Sequence, residues 1–220
     1  MKRTALLAGA TGLVGGHCLR LLLENDLFER VVTIARSPIE TGDPKHVHHV
    51  IDFDRISDYR DLLQCNDVFC CLGTTMKKAG SKEAFRKVDF HYPVALGETA
   101  LANGADHYLL VSSIGADPGS SVFYLRVKGE TEQALRALSY HNLSIFRPSL
   151  LTGERKEKRP GERFTEQALD LFSFLLRGPL RVYRPVEAKD VAAAMVWVAV
   201  ERPVGVNVYD ADRIRALAAS

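Results

Sequence analysis

An excess of charge of either sign is missing from this sequence: 29 basic against 27 acidic residues leave a net charge of +2. Such a balance implies no nucleic-acid partner and no membrane-surface partner. Long hydrophobic runs are missing too. The longest near the end, Val191 to Val200, follows Lys189 and Asp190 and falls far short of the roughly 20 residues a membrane span requires. It reads as a buried helix. Cysteine is sparse, and Cys18, Cys65, Cys70 and Cys71 show no metal-ligand spacing, so no metal site is expected. Two of them are adjacent on a predicted strand, which suits a reduced cytoplasmic core better than disulfides. A redox role for the Cys70-Cys71 pair would need a neighbour that marks a low-pKa thiolate, and none is apparent. Internal repeats and low-complexity segments are absent as well. At 220 residues the chain has room for a single domain, 1–220, with about 149–220 contributing a small substrate-side part.

What the chain does have stands at its start. Thr4 to Ala8 form a small, apolar run that predicts a buried strand. Gly9, Gly12 and Gly15 follow at GxxGxxG spacing. The apolar residues then switch to helical period through Leu13, Val14, Leu19, Leu21, Leu22 and Leu23. Strand, tight turn and helix together are the context a dinucleotide fingerprint requires. Gly9 permits the turn, Gly12 keeps side chains away from a pyrophosphate, and Gly15 lets helix and strand pack closely. The helix start then turns free N–H groups and a positive dipole end toward phosphates. Met1-Lys2-Arg3 with the apolar run behind it also admits a signal-peptide reading, but the run is broken at Gly9, Thr11 and Gly12, which argues against an h-region.

A second strand, Val31 to Ala35, ends at Arg36. In dinucleotide-binding folds an acidic residue here grips a ribose 2′-hydroxyl, whereas an arginine accommodates a 2′-phosphate. Arg36 therefore argues for NADP, with NAD less favoured. His46 to Phe53 predicts a short third strand. Its three histidines, His46, His48 and His49, invite a metal hypothesis, but no carboxylate or cysteine completes a ligand set, and they read as edge-strand residues. Asp52 and Phe53 end that strand where an adenine rests, the carboxylate to accept from the exocyclic amine and the ring to pack on the base. A helix from about Ile56 to Leu63 leads to a fourth strand, Val68 to Leu72, and then to Gly73 and Thr74, which would flank the nicotinamide ribose. Met76 to Gly80 forms a basic loop, equally readable as a lid or as solvated charge. Helical period runs from Ser81 to Leu101 with a kink or break expected at Pro93.

The fifth strand, His107 to Ser113, ends in two hydroxyls, Ser112 and Ser113. Tyr124 and Lys128 follow at a four-residue spacing that stacks them on one helix face. An ammonium beside a phenol favours phenolate, which makes the tyrosine a usable acid or base, and a serine hydroxyl can hold a substrate carbonyl. Leu143 to Pro148 makes a sixth strand. Glu154 to Arg163 reads as a charged loop, Phe164 to Leu176 and Ala188 to Glu201 as helices, Val206 to Tyr209 as an edge strand, and Arg213 to Ala219 as a final helix. The fold class is α/β, a doubly wound parallel sheet of Rossmann type with helices on both faces. With roughly 70 residues beyond the sixth strand, a bulky sugar nucleotide would be poorly enclosed.

The combination GATGLVG, Arg36, CCLGTT with the following KAG, VSSIGAD, YLRVKGE, IFRPSLLTGER and RPGE resembles the short-chain dehydrogenase/reductase superfamily, and within it the atypical members similar to the Tat-interacting-protein oxidoreductases. The resemblance runs from roughly Thr4 to Gly161. It implies NADPH in the cleft, Tyr124 as proton donor and acceptor, and Lys128 on the nicotinamide ribose. It also implies cofactor contacts at Thr11, Gly12, Leu13, Val14, Arg36, Ser37, Leu72, Gly73, Leu151 and Arg159. Similar proteins often carry a second basic residue where this chain has Ser37, which loosens the grip on a 2′-phosphate. Spacing to Tyr124 favours Ser112 as the catalytic hydroxyl, while analogy with strands ending in VSS favours Ser113, the preferred choice. The expectation is an NADPH-dependent reductase acting on a small-molecule carbonyl substrate, with a homodimer allowed. The alternative is a non-catalytic NADPH-sensing regulatory or interaction protein on the same fold.

Overall fold

A computed structural model describes residues 2–153 and 184–220. A seven-stranded sheet runs through them, parallel throughout, in the order β3-β2-β1-β4-β5-β6-β9. Its strands are β1 (Arg3–Ala8), β2 (Phe28–Ala35), β3 (His46–Val50), β4 (Asp67–Cys70), β5 (His107–Val111), β6 (Asn142–Arg147) and β9 (Gly205–Asp210), while β7 (Leu151–Thr152) pairs separately with β8 (Val186–Glu187). The central strands read as nearly unbroken apolar runs because helices cover both faces of a parallel sheet. From β1 the chain winds outward to β3, then crosses back to β4 and winds the other way. The reversal opens a crevice at the carboxyl ends of β1 and β4, where doubly wound sheets take their ligands.

On one face lie α1 (Leu13–Glu24), α6 (Ala188–Glu201) and α7 (Ala211–Ala218), with Val14, Cys18, Leu22, Val191, Met195 and Ile214 in a common core. On the other lie a 3-10 segment (Phe53–Leu62), α4 (Tyr92–Ala102) and α5 (Phe123–Ala137), meeting through Phe53, Ile56, Leu96, Ala100 and Leu135. Cys70 belongs to the second core and Cys71 packs against the first, since neighbouring strand residues face opposite ways, so the adjacent pair does not meet as a dithiol. Burial pushes the Cys70 thiol up to about 11, and the hydrogen bond with Cys18, then burial, pushes Cys71 up as well. Neither favours the thiolate that a redox role demands.

Two sequence expectations are adjusted. The helix expected over Ile56 to Leu63 is a 3-10 segment with non-helical dihedrals at Arg55 and Tyr59, capped by the Asp52 carboxylate accepting from the Asp54 amide. The basic stretch after β4 is not an irregular loop: α2 (Met76–Ala79) is one turn, capped by the Thr75 hydroxyl and closed by Gly80 at φ +79°. The helical stretch from Ser81 to Leu101 breaks just ahead of Pro93, as expected, into α3 (Lys82–Arg86), a π turn (Lys87–His91) and α4. Pro93 is the cause. It has no N–H for the carbonyl of Asp89 four residues earlier, so the chain widens by one residue and that carbonyl accepts instead from the Thr131 hydroxyl at 2.8 Å. By contrast, Ala188 to Glu201 is a helix over the expected residues.

Candidate active site

The glycine turn follows directly from packing. Gly9 has φ +90°, and a Cβ there would lie 2.5 Å from the Cys71 carbonyl oxygen. A Cβ at Gly15 would collide with the Gly9 carbonyl, so α1 crosses the end of β1 at a distance only glycine permits. Gly12 is the N-cap of α1 and donates its N–H to the Gly9 carbonyl at 2.9 Å. No side chain caps this helix and no acidic residue stands in its first turn. The amides of Leu13 and Val14 thus begin the helix without intrahelical partners, beside exposed Thr11 and Gly12. An uncapped helix start at a turn packed too tightly for a Cβ at Gly9 or Gly15 fits a diphosphate.

Arg36 and Ser37 follow β2 and are exposed, and among the described residues no hydrogen bond or ion pair engages the Arg36 guanidinium. Asp52 is exposed, with one oxygen committed to the Asp54 amide. Phe53 is 6 % exposed and its ring lies 5.4 Å from that of Tyr92, inside the core. That corrects the expectation of an open phenyl face for the adenine, because the apolar side chain is worth more buried under the 3-10 segment. Leu72, Gly73 and Thr74 leave β4 beside the glycine turn. Leu151 lies in β7, and Gly153, next to it but one, comes against the Leu13 side chain. Arg159 lies outside the described residues, as do the expected loop Glu154 to Arg163 and helix Phe164 to Leu176.

Across the crevice α5 presents Tyr124 and Lys128. The helix sits tightly on the loop after β5, since a Cβ at Gly129 would strike the backbone of Asp117 and Pro118. The Tyr124 ring is half-buried and 5.7 Å from Phe85. Lys128 is buried, and its ammonium lies 2.8 Å from Asp89 Oδ1. The other Asp89 oxygen accepts from the Thr74 amide at 2.8 Å. Burial disfavours the charge on Lys128, but Asp89 and then Tyr124 outweigh it, and the pKa of the ammonium is raised. A Cβ at Gly73 would come within 3.5 Å of Asp89 and 3.8 Å of Lys128. The cofactor-side loop and the Tyr-Lys helix are therefore one connected structure.

Asp89 is the member of this site that sequence reasoning missed. Inside a helical stretch an aspartate reads as solvent-facing, and the π turn that brings it inward is signalled only by Pro93. The two serines also separate. The Ser112 hydroxyl is buried and donates to Glu132 Oε1 at 2.5 Å. Glu132 is held in turn by Arg147, through 2.9 and 2.6 Å hydrogen bonds. Among the described residues, the half-buried Ser113 hydroxyl donates only to the carbonyl of Ile114, at 3.3 Å.

A Rossmann-like fold with a tight glycine turn after β1 and a Tyr-Lys helix tied through Asp89 to the loop after β4 defines the class: a dinucleotide-binding protein of oxidoreductase-like architecture. The chain belongs to the NAD(P)H-binding family, whose model matches residues 9–202, and within it is similar to the short-chain dehydrogenase/reductase proteins around the Tat-interacting protein. It is 40% identical to Protein HTATIP2 of Rattus norvegicus over 165 residues, 73% of this chain and 68% of that one. It is 30% identical over 205 residues to Protein FMP52, mitochondrial, of Debaryomyces hansenii, 90% of this chain and 88% of that one. That name and those of several other fungal relatives call those proteins mitochondrial, so they do not support the cytoplasmic expectation. No helix among the described residues is long and apolar enough to cross a membrane. Among solved structures, MoeE5 in complex with UDP-glucuronic acid and NAD superimposes with a TM-score of 0.71 at 17% identity, over 98% of this chain and 81% of that chain. The UDP-glucose 4-epimerase of Thermotoga maritima gives 0.69 at 16% identity, with the same coverages. Such distant likeness speaks for the fold.

Proposed function

We propose that the protein is an NADPH-dependent reductase of a small carbonyl substrate. The observation that carries the reading is the buried Lys128–Asp89 pair beside Tyr124, facing the glycine turn. Buried ion pairs are poor investments for stability alone, and this one lies where a proton has to be delivered. NADPH, when bound, supplies a hydride. The amides of Leu13 and Val14 would hold its diphosphate, Arg36 its 2′-phosphate, and Lys128 its nicotinamide ribose.

The protein's own part is proton delivery and positioning. Ser113, whose hydroxyl has no strong partner among the described residues, holds the substrate oxygen by a hydrogen bond, while Ser112 is occupied with Glu132 and supports the strand end. Tyr124 donates its phenolic proton to that oxygen as negative charge develops there. Lys128, kept protonated by Asp89, stabilises the phenolate left behind. Tyr124→Phe removes the proton and nothing else. It is expected to lower kcat by about a thousandfold while leaving NADPH affinity within about twofold. NADPH oxidation across a panel of aldehydes, ketones and quinones finds the substrate class for this test. Tight NADPH binding with silence across the whole panel is instead the behaviour of a cofactor-sensing protein.

A further inference from the structure

Three histidines on β3 remain unused by this mechanism. β3 is the outermost strand, and His46 and His48 stand on the same face of it. Thr33, opposite His48 in register on β2 and fully buried, has its hydroxyl 2.8 Å from His46 Nε2 and 2.7 Å from His48 Nδ1. His46 Nδ1 lies 2.9 Å from the Thr41 hydroxyl, and His48 Nε2 lies 3.2 Å from the backbone carbonyl of Ser37.

With both rings neutral, the chemistry of these groups fixes the direction of every bond. A carbonyl only accepts, so His48 Nε2 carries the proton, and in the neutral ring Nδ1 must accept. Thr33 therefore donates to His48 and accepts from His46 Nε2–H. His46 Nδ1 then accepts from the Thr41 hydroxyl, which in turn accepts from the Asp43 amide. The pattern closes with both rings neutral and every ring nitrogen paired. Burial, then the neighbouring His48, lower the His46 pKa, in keeping with that arrangement. The chain ends on the carbonyl of Ser37, the residue after Arg36. Ser37 precedes Pro38, which restricts it to extended backbone, so fixing its carbonyl fixes the exit of the turn on which Arg36 stands.

We infer that His48, through the Thr33–His46 chain behind it, is a positioning residue for Arg36 and a determinant of the preference for a 2′-phosphate over a 2′-hydroxyl. The inference rests on the proposed role of Arg36. Where a second basic residue is absent at Ser37, discrimination depends on how firmly the single guanidinium is held in place. A loosely held arginine loses part of its bidentate advantage to side-chain and loop entropy.

The test compares dissociation constants for NADPH and NADH in the full chain, by fluorescence titration. His48→Ala is expected to weaken NADPH about five- to tenfold and leave NADH within about twofold, as loss of one positioning hydrogen bond would do. Thr33→Val, which keeps shape and removes the hydroxyl, shifts the ratio in the same direction by a smaller factor. His48→Gln, with an acceptor and a donor in one side chain, restores most of it. An unchanged NADPH-to-NADH ratio in His48→Ala, or equal loss of both cofactors together with a lowered Tm, overturns the inference. Arg36→Ala distinguishes the two levels: if it too leaves the ratio unchanged, the role assigned to Arg36 is wrong and the inference falls with it.

Discussion

At the amino-terminal end of the sheet, Asp67 gathers Arg3, His107 and Arg202 around one carboxylate oxygen at 3.4, 3.2 and 3.4 Å. At the carboxyl end, Asp89 meets Lys128 and the Thr74 amide. Both aspartates are buried, yet the charges around them are spent differently. Arg3 also binds the carbonyl of Ala199 at 2.8 Å, Arg202 pairs with Asp106, and His107 Nε2 meets the Ser144 hydroxyl at 3.1 Å. Asp67, His107 and Ser144 thus repeat the order of a hydrolytic triad, but each is 0% exposed and no substrate can reach them. The network ties the starts of β1, β4 and β5 to the end of α6. At the opposite end, Tyr124 and Ser113 are only half-buried, and Arg36 and the first amides of α1 stay available among the described residues. Similar chemistry serves as a clasp where it is closed and as a site where it opens onto a crevice.

The contrast can be broken or sharpened by mutation. The largest effect is expected from Asp67→Ala, which takes away the carboxylate paired with the buried Arg3 guanidinium and one of the two paired with Arg202, and should cost about 3–5 kcal/mol in urea unfolding, with NADPH affinity of the folded protein unchanged within about twofold. Ser113→Ala should do the reverse, lowering kcat about a hundredfold with less than about 0.5 kcal/mol change in stability. Smaller again is Ser112→Ala. It leaves Glu132 to Arg147 alone and should cost about 1 kcal/mol of stability, read by thermal or urea unfolding, with only a small change in turnover. If Ser112→Ala abolished turnover and Ser113→Ala were neutral, the division between clasp and site would have to be redrawn at the end of β5.

Much of this was legible in the sequence because the signals are local. The glycine spacing needs only neighbouring strand and helix to be read, and Ala188 to Glu201 declares itself by apolar content between a charged start and Pro203. What stayed hidden depends on distance along the chain. Asp89 acquires its role from Lys128, on another helix. Ser112 and Ser113 are told apart by Glu132 and Arg147, on α5 and β6. Phe53 could be placed at a strand end but not oriented, because its burial depends on Tyr92. The histidines of β3 read as an edge strand from sequence alone, and β3 is the outermost strand, while the direction of their hydrogen bonds emerges only with Thr33 beside them.

The central claim is that the glycine turn holds a diphosphate so that the nicotinamide lies against the Tyr124 hydroxyl. A crystal structure with NADPH tests it most directly. The account predicts the diphosphate on the amides of Leu13 and Val14 and the reactive ring carbon facing Tyr124 with room between them for a substrate oxygen, so that each reacting pair stands about 3–3.5 Å apart. A dinucleotide bound elsewhere, or a ring turned away from Tyr124, would contradict it.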